Sequence, residues 1–357
     1  MKFRNVIIAA AIAALPFAAQ AATLVVPAAG TGPGANNSQW QSELTLHTAA
    51  PRAVTLTLSF HRGTDVLGPV EVTLQPRQTR SIADVVRTQF HVENGTGALV
   101  IEVADRDAKS VAVTSRTFNV SAAGEFGQDI PAIDVANATR AGDVAALAAP
   151  SNAAATRYNF GVYAIEQTNV EWRLLRADGT VAATKTLAYA AGSHVQYNGG
   201  VEQVFAASAQ NSDMLHARVT AGKAIFYGSA INNATGDPTF VPGVRTREDI
   251  VITFDGIDLD EDGTADVVDA DGDGVLDSPL VIAASLFPSY FNLLASGEFG
   301  EAVQFEVVSS PAEADLLDAK TLRVSAGGEV KGQTGEIRIK ATTGTSSSIF
   351  TIPVRFQ

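Results

Sequence analysis

Short runs of alternating apolar and polar residues are the sequence feature that most limits how this chain can fold. Each run is rich in Val, Thr, Ile or Phe, and Gly, Pro, Asn or Asp separates it from the next. A period of two places every second side chain on one face of a strand, so the pattern predicts half-buried β-strands. The clearest runs lie at residues 43–47, 54–60, 70–74, 99–103, 111–117, 159–165, 170–175, 194–197 and 224–229.

These runs predict an all-β protein built from tandem immunoglobulin-like β-sandwiches, in which two sheets bury one face of every strand. Helical periodicity is weak outside residues 81–90 and 135–149. The chain contains no cysteine, so disulfides do not stabilise it. Stability must therefore come from core burial, from a bound metal, or from both.

The first two thirds of the chain contain a repeated pattern. Phe90 and Phe205 end similar segments 115 residues apart, and residues 115–119 correspond to 228–232 at an offset of 113. Residues 128–131 correspond to 239–242 at an offset of 111. Similar offsets at three anchors indicate one ancestral β-domain copied once. The alternative is that two unrelated β-sandwiches share turn residues.

The first residues have the composition of a secretory signal peptide. Lys2 and Arg4 precede an apolar run at residues 6–15, and Ala19-Gln20-Ala21 is a small-x-small cleavage site. The run is shorter than the roughly 20 residues that a membrane-spanning helix needs, and no later stretch is long and apolar enough to span a bilayer. We therefore expect export to the medium or the cell surface, with the periplasm as the alternative. The Ala-rich leader and the lack of cysteine fit a bacterial source.

These observations together predict a domain organisation. We expect a signal peptide at residues 1–21, a first sandwich at 22–133, an Ala-rich linker at 134–149, and a second sandwich, the duplicate of the first, at 150–247. A strand and an Asp-rich calcium-binding loop follow at 248–279. A third immunoglobulin-like sandwich completes the chain at 280–357.

Acidic residues are concentrated in one segment. The net charge is −13, and residues 248–277 contain twelve acidic residues and no basic one, which leaves the rest of the chain at −1. A single acidic cluster in an otherwise neutral protein indicates a site rather than a general solubility device. The sequence has no basic patch for nucleic acid or for anionic lipid, so we expect neither as a partner.

Within this segment the pattern Asp-x-Asp-x-Asp-Gly-x-x-Asp occurs twice, at an offset of eleven residues. Calcium takes six to eight oxygen ligands in a flexible shell, and alternate carboxylates converge when a chain curls around the ion. A glycine at loop position six permits the sharp turn. We therefore predict Ca²⁺ as the cofactor, in preference to Mg²⁺, which keeps more of its waters. The alternative is a flexible acidic linker.

The predicted ligands follow from the loop positions. Positions one, three, five and nine supply carboxylates, and position seven supplies a backbone carbonyl. Asp269 is both position twelve of the first copy and position one of the second, so it is placed to couple the two sites. The candidate metal ligands are Asp258, Asp260, Asp262, Thr264, Asp266, Asp269, Asp271, Asp273, Val275 and Asp277.

These two copies resemble thrombospondin type 3 repeats and the Asp-rich calcium loops of dockerins, over about twenty residues of the 357. The resemblance implies calcium ligation by the aspartates just named. An EF-hand would need flanking helices and usually has Glu at position twelve, where this chain has Asp269. The C-terminal region is loosely similar to bacterial immunoglobulin-like and cadherin-like domains, a likeness that brings no catalytic residues.

The sequence shows no catalytic motif, so we predict a non-enzymatic structural or adhesion protein in which calcium stiffens an interdomain loop. The expected partner is a glycan or a surface protein, and the oligomeric state is left open. One alternative is a carbohydrate-binding module, with Asn and Asp residues beside Trp40, Tyr158 or Trp172. Another is an accessory or catalytic part of a secreted hydrolase. The position of Trp172 in an alternating run favours a core residue instead.

Overall fold

The computed structural model describes residues 21–122, 124–246, 252–297, 302–343 and 346–357. All but the last residue of the predicted signal peptide lie outside these ranges. The chain divides into two compact units, Met1–Thr246 and Arg247–Gln357. Among the described residues the longest α-helices have six residues, and none could cross a membrane. The prediction of an all-β chain with tandem immunoglobulin-like sandwiches is confirmed.

The first sandwich has two sheets, with strand orders β4-β3-β6-β1-β9 and β5-β2-β7-β8. Strand β1 pairs with β6 up to Thr31 and then with β2 at Gly32 and Pro33, so it passes from one sheet to the other. Its core includes Leu44, Leu58 and Phe60, all fully buried. The elements are β1 (Ala21–Pro33), β2 (Gln39–Thr48), β3 (Val54–Arg62), β4 (Asp65–Leu74), β5 (Thr79–Ile82), α1 (Val85–Phe90), β6 (Gly95–Ala104), α2 (Asp105–Ala108), β7 (Val111–Ser121), β8 (Gly124–Pro131) and β9 (Ile133–Asp134).

The second sandwich also has two sheets, and Phe160, Trp172 and Leu215 lie in the core between them. The strand orders are β14-β13-β16-β11-β19 and β15-β12-β17-β18, with β10 also paired to β17. The elements are β10 (Thr139–Arg140), β11 (Val144–Ala148), β12 (Thr156–Ala164), β13 (Thr168–Leu175), β14 (Val181–Tyr189), β15 (His194–Tyr197), α3 (Gly200–Phe205), β16 (Met214–Ala221), β17 (Lys223–Asn232), β18 (Pro238–Pro242) and β19 (Val244–Thr246).

The two sandwiches have the same topology. Adding ten to each strand number of β1–β9 reproduces the sheet neighbours of β11–β19, and the short helices α1 and α3 occupy equivalent places in the chain. This shared strand order is what a duplication would produce. Common ancestry and the predicted domain limits at residues 22, 133 and 247 stay predictions, whereas the predicted start of the second sandwich at residue 150 is too late, because β10 and β11 precede it.

The segment at residues 134–149 is not a linker as predicted, because it contains strand β11. This strand lies between β16 and β19, and its residues Val144, Ala145 and Leu147 are buried. The Ala-rich sequence lacks the polar residues that mark a half-exposed strand. Its small side chains instead fit the interior of the second sandwich.

The third sandwich has strand orders β20-β22-β25-β24 and β21-β27-β26-β23, and β21 pairs with β27 in parallel. Its predicted start at residue 280 is too late, since Ile252, Phe254 and Ile257 of the first strand belong to its core. The elements are β20 (Ile252–Asp258), β21 (Leu280–Ile282), β22 (Ser289–Gly297), β23 (Gln304–Ser309), β24 (Glu313–Leu316), β25 (Thr321–Ser325), β26 (Thr334–Thr343) and β27 (Ser346–Phe356).

The first two sandwiches pack against each other within one compact unit. A small apolar cluster joins them, with Val25 and Val100 from the first sandwich and Tyr163 and Ile225 from the second. The N–H of His194 donates to the carbonyl oxygen of Gly63 at 2.8 Å across the same interface. Buried apolar contacts and backbone hydrogen bonds together hold the two sandwiches in one arrangement.

Candidate metal centre

The Asp-rich segment connects β20 to β21, which are strands of the third sandwich. The predicted interdomain position is therefore wrong, because both ends of the loop are held by the same sandwich. The N–H of Ile257 donates to the carbonyl oxygen of Val267 at 2.8 Å, and the N–H of Val267 donates back at 3.1 Å.

A second attachment holds the far end of the segment. The N–H of Thr351 in β27 donates to the carbonyl oxygen of Gly274 at 2.7 Å, and the N–H of Leu276 donates to Thr351 at 3.1 Å. The side chain of Leu276 is 2% exposed and belongs to the core of the sandwich. The acidic segment is thus part of the domain rather than a free linker.

In the first copy, backbone N–H groups converge on the carboxylate at loop position one. Asp258, which is buried at the end of β20, accepts from Glu261 at 2.7 Å and from Gly263 at 3.0 Å. Asp266 at position nine accepts from the N–H of Leu259 at 2.7 Å. These bonds curl the chain into a closed turn around the first three aspartates.

The second copy repeats these hydrogen bonds at the same loop positions. Asp269 accepts from Gly272 and Gly274, each at 2.9 Å. Asp277 at position nine accepts from the N–H of Ala270 at 2.8 Å. Because two stretches of different sequence adopt one hydrogen-bond pattern, the pattern follows from the shared Asp and Gly positions.

The closed turns bring six of the predicted ligands into two triplets. In each triplet the carboxylate oxygens lie within 4.8 Å of one another, and the triplets are Asp258, Asp260 and Asp262, and Asp269, Asp271 and Asp273. Calcium–oxygen distances are about 2.3–2.6 Å, so oxygens that share one ion lie at most about 5 Å apart. Each triplet can therefore hold a metal ion, and an oxygen-only donor set suits a hard cation.

The predicted ligands outside the triplets are Thr264, Asp266, Val275 and Asp277. Asp266 and Asp277 each use one carboxylate oxygen to accept from a backbone N–H of their own loop. Asp269 belongs to the second triplet, and its coupling to the first loop stays a prediction. Ligation by the carbonyl groups of Thr264 and Val275 also stays a prediction.

The position-five carboxylate of the first copy is stabilised in its charged form. The hydroxyl and the N–H of Thr264 both donate to Asp262. These bonds hold the pKa of Asp262 below its ordinary value. A carboxylate that remains ionised at lower pH also remains a metal ligand there.

The apolar residues of the acidic segment have a structural role that was not predicted from the sequence. Val267 packs against the core of the third sandwich and Leu276 is inside it. They anchor the two loops, whereas the carboxylates at positions three and five of each loop are exposed. The signal for this role is the presence of Val267-Val268 and Val275-Leu276 inside an otherwise acidic and Gly-rich run.

We expect Gly263→Ala to destabilise the third sandwich by about 1–2 kcal/mol, the usual cost of a left-handed backbone for an L-residue. Gly263 has φ +88°, and no atom of the described residues lies within 4 Å of an added Cβ, so the cost is conformational rather than steric. Gly328→Ala is the matched control, because its Cβ also meets open space and its φ is not positive. Urea unfolding compares the two variants, and equal losses would contradict the role of this turn.

The three aromatic residues that were candidates for sugar binding occupy different environments in the structure. Trp172 is 0% exposed and Tyr158 is 6% exposed, and both lie in the core of the second sandwich. Burial raises the pKa of the Tyr158 hydroxyl well above its ordinary value. Trp40 alone of the three lines an open cleft, in the first unit.

Comparisons with known proteins support no family assignment. No family model and no curated protein matches the chain. Similar solved structures include extracellular domains 3–5 of Drosophila OTK, at 11% identity and TM-score 0.22, covering 89% of this chain and 92% of that one. The titin I-band fragment I67–I69 matches at 10% identity and TM-score 0.19, covering 86% and 94%.

An endo-fucoidan hydrolase of glycoside hydrolase family 107 matches at 10% identity and TM-score 0.21, covering 73% of this chain and 36% of that one. TM-scores near 0.2 carry no argument about function. The assignment of tandem sandwiches rests on the strand orders and cores described above.

Proposed function

We propose that this chain is an exported, non-enzymatic structural or adhesion protein of the cell surface or the medium, and that its third sandwich binds calcium. The observation that carries the proposal is the pair of aspartate triplets, each closed by the same set of backbone hydrogen bonds. The resemblance to thrombospondin type 3 repeats is part of this proposal.

One ion is held by each loop. The first is bound by Asp258, Asp260 and Asp262, and the second by Asp269, Asp271 and Asp273. The backbone carbonyls of Thr264 and Val275 and the carboxylates of Asp266 and Asp277 complete the shells. Calcium supplies positive charge that offsets the mutual repulsion of the carboxylates, and the chain holds those carboxylates in place.

The consequence of binding is mechanical. Because the loops are attached at Val267 and Leu276 to the core, an ion that orders the loops also holds β20, β21 and β27 together. Millimolar calcium outside cells matches the weaker affinity class of extracellular modules. A structural role of this kind requires no catalytic group.

Calcium is expected to stabilise the third sandwich by about 2.7 kcal/mol per site when its concentration is a hundred times Kd, since it binds only the folded state. Calorimetric titration of the chelator-treated protein should give two ions per chain. Thermal unfolding with calcium and with chelator should show a higher transition temperature in calcium for the unit that contains residues 252–357.

Double Asp→Asn variants, one in each loop, test which loop binds which calcium ion. Asp260→Asn with Asp262→Asn should remove one ion, and Asp271→Asn with Asp273→Asn should remove the other. Asp255→Asn is the control, because Asp255 is exposed and lies outside both triplets. Identical melting curves in calcium and chelator, together with no heat of binding at millimolar calcium, would refute the proposal.

A further inference from the structure

A cleft of about 500 Å³ lies between the first two sandwiches, at the end of their interface away from the apolar cluster. One wall is the glycine-rich segment 28–35, which comprises the end of β1 and the two residues after it, with Trp40 beside it. The opposite wall is the outer face of the sheet formed by β12, β15 and β17. This volume is typical of sites for small ligands, and it matches a short oligosaccharide better than a single ion.

The side chains that line the cleft are mainly amides and hydroxyls. Amides both donate and accept hydrogen bonds, as sugar hydroxyls do. Among the described residues that line the cleft there is no carboxylate, and Arg157 is the one charged side chain. The amide and hydroxyl side chains that the argument uses are Gln128, Asn159, Gln196, Asn198, Tyr227 and Ser229.

Much of this lining is pre-organised by its own hydrogen bonds. The hydroxyl of Tyr227 donates to Gln196 at 2.9 Å, and the amide of Gln196 donates to Asn198 at 2.6 Å. The hydroxyl of Ser229 donates to Gln128 at 3.1 Å across the interface between the sandwiches. A wall fixed before the ligand arrives reduces the entropy lost on binding.

Two polar side chains that line the cleft, those of Asn159 and Arg157, differ from the others in their pairing. The Oδ1 atom of Asn159 is buried and has no hydrogen-bond partner among the described residues, although buried polar atoms are usually satisfied. Arg157 donates to the amide of Asn233 at 3.3 Å and forms no ion pair with a described carboxylate. A guanidinium without a carboxylate partner suits an anionic group, which it can bind in a bidentate manner.

Trp40 adds an aromatic ring to the wall of the cleft opposite Arg157 and Asn159. An added Cβ on Gly34 would lie 2.3 Å from its Nε1 atom, so only glycine at position 34 lets the indole occupy its place. An aromatic face beside amide groups is suited to a ring that is apolar on its faces and polar at its edge.

From this placement we propose that the cleft binds a short acidic saccharide of the uronic acid type. Arg157 binds the carboxylate of the sugar, the Asn159 side chain, which lines the cleft, hydrogen-bonds a hydroxyl, and Trp40 packs against a sugar ring. The surrounding unit repels an anionic ligand only weakly, because residues 21–246 contain 16 basic and 18 acidic residues and so are close to neutral.

The test is titration of the full chain with disaccharides of galacturonate, mannuronate and glucuronate, and with neutral cellobiose, followed by calorimetry and by NMR shifts of the ligand. We expect binding to at least one uronate in the presence of chelator, since the cleft lies outside the calcium loops. Arg157→Gln should weaken that binding at least tenfold. Arg80→Gln is the control, because Arg80 is exposed on β5 and does not line the cleft.

Asn159→Ala is the second variant and should weaken uronate binding severalfold without lowering the melting temperature, because it removes an unsatisfied atom. Equal affinity for cellobiose and the uronates, or an unchanged affinity in Arg157→Gln, would overturn the assignment. So would a failure of every uronate to bind at millimolar concentration. Loss of calcium binding in the third sandwich affects none of these outcomes.

Discussion

Trp172→Ala is expected to lower the free energy of unfolding of the second sandwich by about 3–5 kcal/mol, the range for truncating a buried Trp. The ring is fully buried, and its centroid lies 5.0 Å from that of Phe160 and 5.5 Å from that of Phe226. Its removal leaves a cavity between the two sheets that these neighbours fill only in part.

The indole N–H of Trp172 allows the contribution of packing to be separated from that of a hydrogen bond. Its Nε1 donates to the hydroxyl of Tyr189 at 2.9 Å, and that hydroxyl lies 2.7 Å from the hydroxyl of Tyr197. Trp172→Phe keeps most of the packing and removes only this donor, so it should cost less than the alanine variant. Tyr189 retains Tyr197 as a partner in both variants.

Urea unfolding followed by circular dichroism measures these losses. Val181→Ala is the control, since Val181 is 39% exposed on the surface of the same sandwich and its truncation should change stability by less than about 0.5 kcal/mol. A loss for Trp172→Ala no larger than this control would contradict its place at the centre of the core.

Lowering the pH from 7 to 4 is expected to remove about 3 kcal/mol of stability from the first unit through His194 alone. Burial, with a contribution from His61, lowers the pKa of His194 from 6.5 to about 4, although a backbone hydrogen bond to Pro27 opposes the shift. The ring is 3% exposed, and its Nε2 lies 2.9 Å from the hydroxyl of Tyr227.

The direction follows from proton binding. Between pH 6.5 and 4 the unfolded chain binds a proton at His194 and the folded chain does not, so acid favours unfolding. The stability is fully present above pH 6.5 and is lost as the pH falls toward 4. Because His194 bonds to Gly63 across the interface, the loss should affect the packing of the first two sandwiches together.

Urea unfolding at a series of pH values tests this expectation. His194→Gln should flatten the pH dependence between 6.5 and 4, even if the variant is less stable at neutral pH. His91→Asn is the control, because His91 is exposed and Asn tolerates its positive φ of 58°. Parallel pH curves for the wild type and His194→Gln would refute the assignment.

Strands with regular alternation were predictable, and those shaped by distant contacts were not. The alternation at 54–60 corresponds to β3 and that at 170–175 to β13, because one face of each is buried. Strand β11 was not predicted, because its sequence Val-Ala-Ala-Leu-Ala does not alternate apolar and polar residues. Pairing with β16 and β19 makes it a strand, and those partners lie more than 60 residues later in the chain.

The residues of the candidate metal site were predictable from the sequence, but the place of the site in the fold was not. The Asp and Gly spacing anticipates the two triplets, because a local loop of nine residues places its own carboxylates together. Its attachment to Thr351 depends on strand β27, 76 residues after Val275, and no local pattern reveals that pairing. The prediction of an interdomain loop failed for this reason.

The sequence alone determined what is local: the half-buried strands, the two aspartate turns, and the concentration of negative charge around them. Periodicity and spacing act over a few residues, so they are readable without a fold. Tertiary structure decided that the acidic loop belongs inside a sandwich, that His194 is buried between two domains, and that Arg157 and Asn159 face Trp40 across a cleft. All three features depend on contacts between strands far apart in the chain. The local sequence of any one segment does not show that such contacts will bury it.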